Sequence, residues 1–177
     1  VAGKLKEWGL EVEIQEVGEM PVGFNRGPWF GKMYSDTSMS LDFVTPSYTS
    51  GTKGVQRGHV VVEPKTRQEF ERMKGKLKGA WVLIEGQNTG FPIDHSVSGD
   101  SLRSAIIAKK EASPNDSDKI TEPALFYKEM REAGILGTIQ SAPVPLVAMY
   151  DRKNIYSLSF DNLPTIPDIK LNEDQYN

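Results

Sequence analysis

From Ala80 to Ile84 the chain reads Ala-Trp-Val-Leu-Ile without one polar residue, and glycines bound the run at Gly79 and Gly86. Alternation would leave one face wet, whereas a continuous apolar run predicts a strand covered on both faces. Its short length and its Trp-Val-Ile content favour a strand over a buried piece of helix. Farther on, Phe126, Met130 and Ala133 form a one-sided stripe over Glu122–Ala133, and Gly134 stands behind them. That pattern predicts a helix with a glycine stop. An apolar stretch, Ile135–Gln140, follows at once, so strand, helix and strand predict a β-α-β crossover.

The remaining signals are shorter. Val1, Leu5 and Trp8 share a helical face that ends at Gly9, and Leu10, Val12 and Ile14 then alternate with Glu11 and Glu13 as a half-exposed strand. Gly18–Gly54 is rich in Gly, Pro, Ser and Thr, with Met39–Phe43 alternating inside it. A strand is predicted to end at Gly58–Val62, before Pro64. Thr66 and Glu69 have capping-box spacing and open a short helix carrying Phe70 and Met73, stopped at Gly75. Gln87–Asp100 reads as a polar loop, Ser101–Ala112 as a helix and Ser113–Asp118 as an exposed break. Thr121 is placed to cap the helix that follows. Pro143–Met149, Ile155–Phe160 and Thr165–Leu171 add short strands. Asn172-Glu173-Asp174-Gln175 has the chemistry of a helix start. Both ends thus carry the expectation of a piece cut from a longer protein.

Composition narrows the function classes. The chain has 177 residues, 38% hydrophobic and 25% charged, which suits one globular domain. A net charge of −3 supplies no attraction for nucleic acid or an anionic membrane. No stretch approaches the roughly 18 apolar residues that a membrane span needs. With no cysteine, disulfides, thiolate zinc sites and thiol nucleophiles are excluded.

Candidate chemistry is sparse. His59 and His95 are the two histidines, and hydrolytic metal sites need several converging ligands. Asp94 and His95 are adjacent, so on a strand they point to opposite faces. A triad of Asp94, His95 and a serine lacks any Gly-x-Ser-x-Gly elbow. Gly86-Gln87-Asn88-Thr89-Gly90 lacks the Gly-Lys-Ser/Thr ending of a phosphate loop. No catalytic or metal-ligating residue is therefore assigned. The best binding candidate is the aromatic loop 24–48, where Trp29 adjoins Phe30 among glycines. Two such rings either pack beneath the loop or face a partner. The candidate surface comprises Trp29 and Phe30, with Asn88, Phe91, Asp94 and His95 of the polar loop.

KLKGAWVLIEG, then FYKEMREAGILGTIQ, then PLVAM resembles the core of a protease-associated (PA) domain, over Met20–Leu171. VAGKLKEWGLEVEIQEV is similar to the helix-strand opening of zinc aminopeptidases of the glutamate-carboxypeptidase and transferrin-receptor type, in which a PA domain is inserted. The resemblance implies an α/β, β-rich fold of the swivelling β/β/α type, with two small packed sheets and flanking helices. It implies a helix-strand remnant of the peptidase body at 1–18, the PA domain at 19–171 and the start of a following helix at 172–177. Such a domain does no chemistry. It lies over the active site, shapes substrate access, and meets the parent catalytic domain in cis and a peptide or protein substrate. The implied location is secreted, periplasmic or at the cell surface. In those enzymes the catalytic partner binds two zinc ions through a His-x-Asp motif and further acidic and His ligands. That pattern is missing between Val1 and Asn177. Zinc is thus expected in the parent catalytic domain, and no cofactor in this chain. The alternative is a free-standing module that binds peptides or glycans through loop 24–48. A self-contained hydrolase using Asp94 and His95 is the third reading.

Overall fold

A computed structural model describes residues 1–25, 27–87, 126–142 and 158–177. In chain order its elements are helix α1 (Ala2–Glu7) and strands β1 (Lys32–Tyr34), β2 (Ser38–Ser40), β3 (Phe43–Val44) and β4 (Val60–Val62). Helix α2 (Arg67–Leu77), strand β5 (Trp81–Gln87), helix α3 (Tyr127–Glu132) and strand β6 (Gly137–Ala142) follow. A 3-10 turn at Phe160–Asn162, strand β7 (Asp168–Asn172) and helix α4 (Glu173–Tyr176) end the chain. β1 and β2 make a two-stranded antiparallel sheet, and the other five strands form one sheet in the order β3-β7-β6-β5-β4. Strands β4 to β7 are mutually parallel, and β3 closes the far side antiparallel to β7. The fold is mixed α/β and β-rich.

Register explains why β5 carries no polar residue through Ile84. Val82 and Ile84 are fully buried on one face, beneath Phe70 and Leu77 of α2 and Tyr127 and Met130 of α3. Trp81 and Leu83 belong to the opposite face, with Phe43, Ile139, Leu171 and Tyr176 of α4. Each buried aliphatic side chain contributes about 1.5–3 kcal/mol, so a polar residue on either face would forfeit that contribution in the layer it meets.

Helix α2 starts as its sequence predicts. Thr66 Oγ1 accepts the Glu69 N–H at 3.2 Å, while the Glu69 carboxylate reaches back one residue farther than in a standard box, to the Lys65 N–H at 2.8 Å. The predicted stop at Gly75 is a correction: the helix runs on to Leu77. Leu77 lies seven residues beyond Phe70 on the same face and is completely buried. That burial outweighs the roughly 1 kcal/mol cost of a glycine within a helix. The chain turns instead at Gly79, where φ is +73°.

Other expectations fare unevenly. α1 and its glycine stop form as expected, with Gly9 at φ +82°. Leu10–Ile14 forms no strand: it lies outside both sheets, with Leu10 and Ile14 exposed. Alternation alone makes no strand without an edge to pair with. Met39–Phe43 is divided between β2 and β3, and Phe160 sits in the 3-10 turn rather than a strand. α3 ends at Ala133-Gly134 as predicted, with Gly134 at φ +88°. Thr121 and residues 122–125, like the segments predicted over 88–118 and 143–157, lie outside the described residues.

Arg67 ties the two helices together. Its guanidinium donates to Glu129 Oε1 at 3.0 Å and lies 4.6 Å from the Phe126 ring centroid. Burial pushes the Glu129 carboxyl up, but its backbone hydrogen bond and the bond and charge of Arg67 outweigh that and hold it below the usual carboxylate range. A lowered folded value stabilises the native state fully above the ordinary carboxylate range and loses that contribution as pH falls through the lowered value. Glu129→Gln will therefore flatten the acid limb of urea-melt stability against pH. Because both partners are partly exposed, the effect at neutral pH will stay below about 1 kcal/mol.

Candidate functional site

The aromatic loop builds a surface rather than a core. Trp29 and Phe30 precede β1, and the backbone N–H of Leu41 donates to the Gly31 carbonyl at 2.9 Å, folding the hairpin onto its own stem. The Trp29 indole N–H donates to the Phe43 carbonyl at 3.0 Å, pinning the ring beside β3 with 46% of the residue still exposed. Phe30 faces outward at 73% exposure, and Tyr34 and Met33 of β1 are exposed as well. The two neighbouring rings therefore divide the alternatives, one anchored and one free. Gln175 of α4 holds the bend between β2 and β3: its Oε1 accepts the Asp42 N–H at 2.7 Å, and its Nε2 donates to the Ser40 carbonyl at 3.1 Å. A side-chain amide here satisfies backbone groups as a neighbouring strand would.

A cavity of about 380 Å³ opens between Phe24, Tyr48, Phe160 and Leu163. The Phe24 and Tyr48 rings lie 5.2 Å apart at 39°. Tyr48 is held at φ +58°, a left-handed conformation that costs a non-glycine residue about 1 kcal/mol or more. Phe24 and Tyr48 bound the loop 24–48 that the sequence singles out, whereas nothing local marks Phe160 and Leu163 as the opposite wall. The Pro46-Ser47-Tyr48-Thr49 turn is closed by the Thr49 hydroxyl donating to the Pro46 carbonyl at 2.7 Å.

Of the sequence-predicted site residues, Trp29 and Phe30 stand together on the hairpin, and Asn88, Phe91, Asp94 and His95 lie outside the described residues. His59 is exposed, and its Nε2 lies 2.7 Å from the Lys76 carbonyl, so that nitrogen carries the proton. Among the described residues no group of three or more His, Asp or Glu side chains is placed to hold a metal ion.

A buried polar row crosses the helix-covered face of the large sheet. Lys170 Nζ donates to Gln140 Oε1 at 2.6 Å and to Asp168 Oδ1 at 2.7 Å. All three residues, with Thr138, are almost completely inaccessible. An ammonium and a carboxylate so deeply buried are held by each other's charge, and the arrangement is sealed from any substrate. At the β4 edge of the sheet the buried Glu63 accepts from Lys65 Nζ at 3.3 Å and from the Glu85 N–H at 3.2 Å.

No family model, curated protein or solved structure matches this chain.

Proposed function

We propose that this chain is a protease-associated domain of a zinc aminopeptidase, acting outside the cytoplasm as a non-catalytic cover that shapes peptide access. The observation that carries this reading is the pairing of two of the three core segments on which the resemblance rests; the third, Pro145–Met149, lies outside the described residues. Lys76–Gly86 and Phe126–Gln140 supply β5 and β6, which are adjacent and parallel with α3 between them. The outward Phe30 and Tyr34 support it further, as an apolar face suited to a catalytic body or a peptide. In this reading residues 1–18 belong to the peptidase body, and the zinc ions are held by the catalytic domain in cis.

Reading the coding sequence on both sides of this chain tests the proposal. A His-x-Asp motif beyond Asn177, followed by further acidic and His ligands, is the expected result. Added zinc should neither raise the melting temperature of the chain nor give it aminopeptidase activity. One zinc ion bound stoichiometrically through His59 or His95 would overturn the non-catalytic role. A second reading, a free-standing peptide- or glycan-binding module, is favoured by the open cavity beside Phe24 and Tyr48. A stop codon or an unrelated module at the flanks selects it.

A further inference from the structure

Among the described residues no strand pairs with the outer edge of β4. The His59 carbonyl accepts the Trp81 N–H at 2.8 Å, and the Glu63 N–H donates to the Leu83 carbonyl at 2.9 Å. In a parallel ladder alternate residues face the same neighbour. Residues 59, 61 and 63 therefore face β5, and Val60 and Val62 turn their N–H and C=O groups away from the sheet. Neither has a backbone partner on that side among the described residues. Natural edges are usually blunted by lysine, proline or a bulge. Here the edge is three valines, with Val60 50% and Val62 47% exposed.

The surroundings of this edge define what fits it. A groove of about 330 Å³ lies between β4 and α2, lined by Val62, Glu69, Arg72, Met73 and Lys76 among others. Arg72 and Lys76 are four residues apart on one helical face, and neither has an ion-pair partner among the described residues. The nearby carboxylates are engaged elsewhere: Glu69 by the Lys65 N–H, Glu63 by Lys65, and Glu71 by Arg67. Val61 pairs with Val82 toward the helices, which puts the Val60 and Val62 side chains on the opposite face, beside Trp81 and Leu83. A strand laid along this edge would thus present alternate side chains to two environments, cationic on the helix side and apolar on the other.

We propose that an extended segment of a polypeptide partner, with acidic and apolar side chains alternating, adds to the sheet along β4. Its backbone pairs with Val60 and Val62, its acidic side chains meet Arg72 and Lys76, and its apolar ones cover the two valines. The inference holds equally for a cover domain and for a free-standing module. Leu10–Ile14 of this chain has the same alternation and forms no ladder here, so a second copy is the rival occupant.

Fluorescence anisotropy of the full chain with labelled acetyl-Glu-Val-Glu-Val-Glu-Val-amide tests the proposal. The peptide should bind, and its Lys-Val counterpart should bind roughly tenfold more weakly, as two exposed ion pairs become repulsions. The Arg72→Glu/Lys76→Glu variant should reverse that order. Backbone N-methylation of the peptide at alternate residues gives a readout peculiar to strand addition. One phase of methylation should abolish binding and the other should preserve it, because only every second N–H faces β4. Equal loss in both phases, no preference for Glu over Lys, or no binding at all would overturn the proposal. So would concentration-dependent self-association that a Leu10–Ile14 peptide competes away, which assigns the edge to a second copy.

Discussion

Replacing Gly137 with alanine will cost about 3 kcal/mol of unfolding free energy, the upper part of the range for forcing atoms into a packed interior. A Cβ at this position stands 2.6 Å from Trp81 Cζ3 and 2.7 Å from the Pro167 carbonyl oxygen. Neither neighbour can retreat easily. Trp81 is the direct cross-strand partner of Gly137, its ring resting where a side chain would be, and the Pro167 carbonyl accepts the Thr138 N–H at 3.0 Å. The double variant Gly137→Ala/Trp81→Leu removes the ring but leaves the carbonyl. It should therefore show a coupling of about 1 kcal/mol in urea melts and only partial recovery. Strict additivity would show that the ring is not the obstacle.

Lys170→Met should be comparably severe. Removing one partner of a buried ion pair typically costs about 3–5 kcal/mol, because the remaining charge loses its compensation. Here the change strips Asp168 of its ammonium and Gln140 Oε1 of its donor. Adding Asp168→Asn to Lys170→Met removes the carboxylate charge while keeping the shape, and should restore at least half of the loss. Denaturant titration of the two single variants and the double variant measures this directly. A double variant no better than Lys170→Met would mean that packing, and not charge, dominates at this site.

These two positions also show how far the chain's pattern could be read. β5 was legible because both of its faces are apolar, and the start of α2 because its cap uses local chemistry at Thr66 and Glu69. The end of α2 was not, since the reason it passes Gly75 is the burial of Leu77 against residues distant in sequence. Lys170 was hidden for a related reason. Asp168 and Lys170 alternate with Ile169 and Leu171, the pattern of a strand with one wet face, yet the polar side is covered. Nothing local distinguishes a solvated polar face from a buried, self-compensating one. At the candidate surface, the Trp29-Phe30 pair stood out by composition, but which ring is anchored depends on the Phe43 carbonyl. The cavity at Tyr48 depends on residues near 160 that only the fold brings alongside. Leu10–Ile14 failed in the opposite sense, with a clear local signal but no pairing to either sheet.

The antiparallel closure of β3 on β7 has a consequence for biosynthesis. Asp42 and Gln175, hydrogen-bonded in the finished structure, stand 133 positions apart. At ordinary translation rates the later residue follows the earlier by on the order of ten seconds. For most of that interval Leu41 and Phe43 are already made, while Leu171 and Tyr176, part of the layer they pack into, have yet to be made. The nascent chain thus carries apolar residues around β3 whose layer is completed only when β7 and α4 arrive, and that interval is when it is most in need of a chaperone.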